Sequence, residues 1–532
     1  MTPPPGGASK RSHGTRMRSV RLLRNAITNY LRFILGGAIS FLLTPFMVHL
    51  LGDGGYGLWI TVFSFTGYFG LVDQGIRPSL VRYVSRDHAA KDWDGLSRTM
   101  NSALALYTGA GVLVMIVCAV VAARFGVWFK LDPAMLPAAR TTVLVSGLSL
   151  ALGFPFGVFG AALSGLQRYD IGNGIGMAIA VLRALLFVTV LRMGGGIVEL
   201  AWVSLGANLL GHLVTWAVVI RMLPQVRFGR PWVTAQHLRM IGSYSGFAFV
   251  GALASSIAFQ TDSLVITAFL GAALVTPFAL AAGLVDNART LVHSATWVLS
   301  PTASEMETLG EHEKLQAMLV AGAKYSVLMC WPVLFALIVF GPNLLTTWVG
   351  VKYRDAAELL TILAAPTLLS LPQSAASSML YGVSRHKGVV ALSLINAVLN
   401  LGLSLLWVKP FGLRGVALGT AVPLALVSGI ATSVYAARAL HMPYGRYLWH
   451  GLARPGLVSL TFLVPALVIQ HFAHPLGWVP LGASVAGSWL LFAVVAWTFG
   501  VDESERRRWA AAAPRVLGLG GTPAPVVPGG GA

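Results

Sequence analysis

The chain has 532 residues, 56% hydrophobic and 11% charged, with a formal net charge of +19. A soluble globular protein carries about 25% charged residues, so this composition excludes one. Apolar runs about 20 residues long recur throughout, the length that crosses a hydrocarbon core. The roughly 10-residue alternating segments of a β-barrel are missing. The sequence therefore predicts an all-α polytopic membrane protein. Its basic residues sit mainly in short loops and tails, which points to the membrane surface rather than to nucleic acid.

A basic tail over 1–25 opens with "TPPPGGASKR", Pro/Gly-rich and read as disordered. Fourteen spans follow: 28–50, 57–81, 100–123, 141–163, 172–191, 198–220, 241–268, 273–299, 317–340, 358–381, 388–408, 415–437, 455–472 and 479–499. A second tail, 501–532, closes with "GGTPAPVVPGGGA". Arg32 lies about one turn into the first span, where it can snorkel to the surface or face a cytoplasmic mouth. After "LWITVFSFTGYF" come Asp73 and Arg77, four residues apart on one helix face. They read as a matched pair at a helix end or as part of that cationic mouth. Arg82 and Arg86 follow as inner-surface charges.

Arg183 falls near the middle of the fifth span, more than about 12 Å from either end and beyond comfortable snorkelling reach. A lone charge in lipid costs about 2.5–3.5 kcal/mol by insertion scales, so this arginine lines a wet path, binds a ligand or sits in a buried ion pair. Glu199 opens the sixth span at the outer surface and reads as solvated. Asp262, in the seventh span, is either an interhelical hydrogen-bond partner or a coupling residue that protonates or binds a cation. In the eighth span Asp286 and Arg289 are three residues apart, ready to pair, and cargo binding stays equally open for Arg289. His212 and His293 are lone histidines on apolar faces and read as core hydrogen-bonding residues. Cys118 and Cys330 lie within apolar runs as small hydrophobes, so there is no disulfide framework. "SEMETLGEHEK" reads as a solvated inner loop. No GxxxxGK[ST] motif and no nucleophile–base–acid set on one loop occurs, so the sequence predicts no enzyme, metal or cofactor.

With the amino terminus inside, the inner segments hold 25 Lys and Arg and the outer loops 8, with five more inside spans. This asymmetry places both termini in the cytoplasm. Three landmarks also repeat in order: "LLGDGGYG" with "FLGAALVT" at an offset of 219, "ARFGVWF" with "IVFGPNL" at 215, and "LSGLQR" with "LYGVSR" at 217. Each offset equals six spans. The sequence thus predicts two six-helix lobes of like orientation, 26–238 and 239–440, with two further helices over 441–500.

"LGDGGYGLWITVFSFTGYFGLVDQGIRPSLVRYVSR" resembles the first and second helices of polysaccharide transporters. These are the O-antigen and capsule flippases of the multidrug/oligosaccharidyl-lipid/polysaccharide exporter superfamily. "FQTDSLVITAFLG" (259–271), "LLTTWVGVKYRDAAELLTILA" (344–364) and "NAVLNLGLSLLWVKPFGLRGVALGT" (396–420) are similar to the family's seventh-helix segment, its outer turn before the tenth helix, and its eleventh-to-twelfth hairpin. One departure is Ser263, which follows Asp262 where the family usually has a basic residue. The resemblance covers roughly 25 to 500. It implies two lobes around a central cavity and a flippase that moves polyprenyl-diphosphate-linked oligosaccharide across a bacterial inner membrane. Polysaccharide assembly proteins are possible partners. Arg183, Arg289, Arg77 and Arg32 are then the candidate diphosphate-binding residues, and Asp73, Asp262 and Asp286 the candidates for ion pairing or coupling. Two alternatives stand beside this reading: a drug/cation antiporter of the same superfamily, and a membrane polymerase or ligase acting on the same lipid-linked sugars.

Overall fold

A computed structural model describes residues 7–243, 256, 260–503 and 505–507 of the chain. Among them every regular element is a helix. In chain order these are α1 (Gly7–Gly67), α2 (Gly70–Ala90), α3 (Trp93–Trp128), α4 (Leu136–Gly165), α5 (Tyr169–Arg192), α6 (Ile197–Met222) and α7 (Ala235–Ser243). Then come α8 (Val275–Thr296), α9 (Leu299–Thr308), α10 (His312–Val349), α11 (Ala356–Ser370), α12 (Gln373–Gly382) and α13 (His386–Pro423). The last four are α14 (Thr432–Ala439), α15 (Tyr444–Tyr447), α16 (Arg454–Ala473) and α17 (Trp478–Val495). Most of the predicted seventh span, residues 244–255 and 257–259, lies outside the described residues.

Nine helices among the described residues are long and apolar enough to cross a membrane, ten if the bent pair α11–α12 counts as one span. Two of the nine are interrupted by a glycine: Gly52 (φ 68°) breaks α1 and Gly412 (φ 60°) breaks α13. Glycine reaches positive φ without a Cβ clash, so the helix is kinked there. Polar side chains cap two of the helices. Asp92 accepts from Gly95 N at 2.8 Å to start α3, and Glu199 accepts from Gly196 N at 2.7 Å to start α6. α1 begins as early as Gly7, inside the stretch that the sequence reads as a tail.

The turns repeat. Positive-φ residues fall at Gly52 and Gly271, Lys91 and Gly310, Gln167 and Ser384, and Gly194 and Gly412, always 217 to 219 residues apart. Their hydrogen bonds recur as well: Arg168 N donates to Leu163 O and Arg385 N to Leu380 O, each at 2.9 Å. Asp92 N to Asp87 O and Glu311 N to Met306 O, also 2.9 Å each, form a second such pair.

The helices gather into two compact units. One comprises 1–287, 345–370 and 386–432; the other comprises 288–344, 371–385 and 433–532. In the first, α4 packs against α2, α3 and α6, and α1 lies along α5. Tyr107, Phe125, Leu58 and Met100 are fully buried in its core. In the second, α9 packs on α12 and α16 on α17. Two buried hydrogen bonds tie it together: Tyr447 Oη donates to Gln373 Oε1 at 2.7 Å, and Asn343 Nδ2 to Pro475 O at 2.7 Å.

Candidate substrate cavity

In the first unit α1 and α5 meet through amides rather than acids. Arg32 Nη1 donates to Asn173 Oδ1 at 3.2 Å, while Asn173 Nδ2 donates to Asn29 Oδ1 at 2.7 Å. Asn173 is buried and Arg32 exposed. A cavity of about 370 Å³ opens beside Arg32, lined also by Asn29, Gly36, Gly37, Ser40 and Asn287. Gly176 lies under the guanidinium, where an added Cβ would stand 3.7 Å from Arg32 Cζ.

Arg183 is on the same face of α5 as Gly176, seven residues and about 10 Å further along the axis. It is half-buried, and its hydrogen bond goes to Asn208 Oδ1 of α6 at 3.5 Å. Asn208 in turn donates to Ser149 Oγ of α4 at 3.3 Å. Neither Arg32 nor Arg183 has a carboxylate at ion-pair distance among the described residues. Both cations therefore keep several donors and an uncompensated charge.

Asp73 and Arg77 are arranged differently. Arg77 Nε lies 3.4 Å from Asp73 Oδ2, and Tyr107 Oη donates to Asp73 Oδ1 at 2.7 Å. Two glycines of α4 bring this pair close to the helix backbone. A Cβ at Gly160 would meet Arg77 Nη2 at 2.8 Å, and one at Gly157 would meet Asp73 Oδ1 at 3.5 Å. The result is a local ion pair tied to α3 and α4.

Asp262 is buried, with Oδ2 accepting from Thr420 Oγ1 at 2.7 Å and Oδ1 without a hydrogen bond among the described residues. Such a carboxyl can carry one proton or help to hold one cation. On α8, Asp286, Asn287, Thr290 and His293 are all exposed at spacings of one to four residues, giving a polar stripe, and Arg289 is half-buried. His293 thus departs from the core position expected of it, because its neighbours on that face are polar. His212 stacks on Phe156, ring centroids 5.7 Å apart, so a ring contact replaces the expected hydrogen bond. Sequence reasoning missed Asn29, Asn173, Asn208, Asn287 and Tyr107. Their only signal is an amide or phenol inside an apolar run, which identifies no partner.

Charged groups are thus held inside apolar helices, and Arg32 stands at a cavity. The family profile described as "Polysaccharide biosynthesis protein" matches residues 22–307, and the chain belongs to this family. It is 23% identical over 498 residues to the uncharacterized membrane protein EpsK of Bacillus subtilis (strain 168), covering 91% of this chain and 96% of that one. It is 20% identical over 421 residues to the probable low-salt glycan biosynthesis flippase Agl15 of Haloferax volcanii, covering 76% and 81%. The inward closed conformation of the lipid II flippase MurJ shares the fold with a TM-score of 0.70 at 13% identity, covering 89% of this chain and 98% of that one.

Proposed function

We propose that this protein moves polyprenyl-diphosphate-linked oligosaccharide from the inner to the outer leaflet of a bacterial inner membrane, for surface polysaccharide biosynthesis. Both termini face the cytoplasm, and lobes 26–238 and 239–440 rock around a cationic path. The observation that carries this reading is the pair Arg32 and Arg183, held in apolar spans against amides alone among the described residues. An arginine without a fixed anion is a receptor for a mobile one, and its planar fork grips phosphate bidentately. The lipid tail can stay in the bilayer, so only sugars and diphosphate need a wet path. Asp73 keeps Arg77 in an internal pair near the inner mouth. Arg289 and Asp286 add charge of both signs on α8, and Asp262 is the candidate coupling carboxyl. The names of Agl15 and MurJ support a lipid-linked cargo.

The test is a sealed vesicle containing the purified protein and a fluorescent polyprenyl-diphosphate oligosaccharide, with an impermeant reductant reading the outer leaflet. Wild type should exchange the label between leaflets, and Arg183→Ala should not. Exchange of a cationic dye with no exchange of the glycan lipid would favour the antiporter reading. Lengthening of the glycan would favour a polymerase.

A further inference from the structure

A second cavity, of about 250 Å³, lies wholly within the second unit, lined by Lys324, Arg446, His450, Arg454, Asp502 and Glu505. At about 30 Å³ per water it has room for roughly eight waters. The Lys324 side chain is 9% exposed and matched: its ammonium is 3.3 Å from Asp502 and 2.7 Å from Glu505. Asp502 also pairs with Arg454 at 3.4 Å. Both carboxylates are thus engaged, and among the described residues no acid pairs with Arg446 or His450. Arg446, His450 and Arg454 are spaced by four along one stretch of helix, and all three line the cavity. Leu448–Ala453 between them is π-helical, a rare geometry frequent at functional sites and present at two other places in this chain. Beside the stripe, Leu448 and Trp449 are exposed. Trp is enriched at the headgroup level of a bilayer.

We propose that this cavity binds the phosphodiester of an anionic phospholipid from the cytoplasmic leaflet, with Arg446, His450 and Arg454 facing the phosphate and Leu448 and Trp449 against the acyl boundary. Basic pockets between membrane helices on the cytoplasmic side hold anionic headgroups by this chemistry. The buried Lys324, its two carboxylates and Arg454 form a floor of zero net charge, which leaves Arg446 as the surplus charge. This site is separate from the Arg32 and Arg183 face and does not depend on the cargo of the transporter.

The full-length protein, purified with equal phosphatidylglycerol and phosphatidylcholine, is delipidated stepwise while native mass spectrometry counts retained lipids. Wild type should keep phosphatidylglycerol preferentially, and Arg446→Ala should reduce that retention roughly fivefold, the factor for about 1 kcal/mol per surface cation. Arg446→Lys should restore most of it. Arg414→Ala, which removes an exposed arginine paired with Glu358 in the first unit, should change nothing. Equal retention by wild type and Arg446→Ala overturns the proposal, as does an equal loss in Arg414→Ala. A further arm adds inorganic phosphate to lipid-free protein in detergent. If phosphate raises the melting temperature of wild type but not of Arg446→Ala, while phosphatidylglycerol is not retained, the ligand is free phosphate and the lipid assignment falls.

Discussion

Two regions of the first unit handle an arginine inside the membrane in opposite ways. At α2, Arg77 has Asp73 one turn away, and Tyr107 and the glycines of α4 fix the pair. Along α1 and α5, Arg32 and Arg183 have only amides among the described residues. An amide orients a guanidinium without neutralising it, whereas a carboxylate does both. The first arrangement is closed by its own anion. The second leaves its charge open among the described residues, and under the proposed function that difference separates a structural arginine from a transporting one.

The strongest way to break the comparison is to remove the open charge. Arg183→Ala should abolish leaflet exchange in the vesicle assay while the protein inserts normally. Arg183→Lys should restore part of it, because the charge returns without the fork. Near-wild-type exchange by Arg183→Ala would place this arginine among the structural ones. A sharper test converts one region into the other. Asn208→Asp or Asn173→Asp gives the open arginine a fixed anion, and a charge-assisted hydrogen bond is worth about 1.5–3 kcal/mol. Cargo affinity should drop about 10- to 100-fold, with thermal stability retained.

In the closed region the expectation reverses. Asp73→Asn strands Arg77 and should lower stability by about 1–2 kcal/mol, less than the 3–5 kcal/mol of a fully buried pair, because both side chains are about a third or more exposed. Tyr107→Phe should cost about 1 kcal/mol by removing one hydrogen bond to the carboxylate. Melting curves in detergent read both. If Asp73→Asn leaves the melting temperature unchanged and Arg183→Ala lowers it, the two regions have been assigned the wrong way round.

The smallest effect concerns the matched charges of the second unit. Burial alone would raise the Asp502 carboxyl, but Lys324 and Arg454 outweigh it and hold the group below the usual carboxylate range. A carboxylate lowered in the folded state adds stability above its unfolded value, near 3.9, and loses it as pH falls through the folded value. Wild type should therefore melt higher than Asp502→Asn at neutral pH, and the gap should close below about pH 4.

The sequence alone determined that the chain crosses the membrane many times, because a run of about 20 apolar residues has few other stable settings. It also determined the Asp73–Arg77 contact, since a spacing of four fixes one helix face whatever surrounds it. Nothing local could show that Arg32 would meet Asn173, 141 residues away, or that Arg183 would meet Asn208 rather than an acid. Those partners were decided by how α1, α5 and α6 pack. The repeat was visible as three loose Gly and Leu matches; the structure adds four turns whose positive φ recurs at 217 to 219 residues, a backbone property that side-chain identity hides, since Lys91 answers Gly310 and Gln167 answers Ser384. Nor could anything local show that Arg446, His450 and Arg454 line one cavity. Sequence spacing places residues on a helix face, and only the packing of other helices decides whether that face closes on a carboxylate or opens on a cavity.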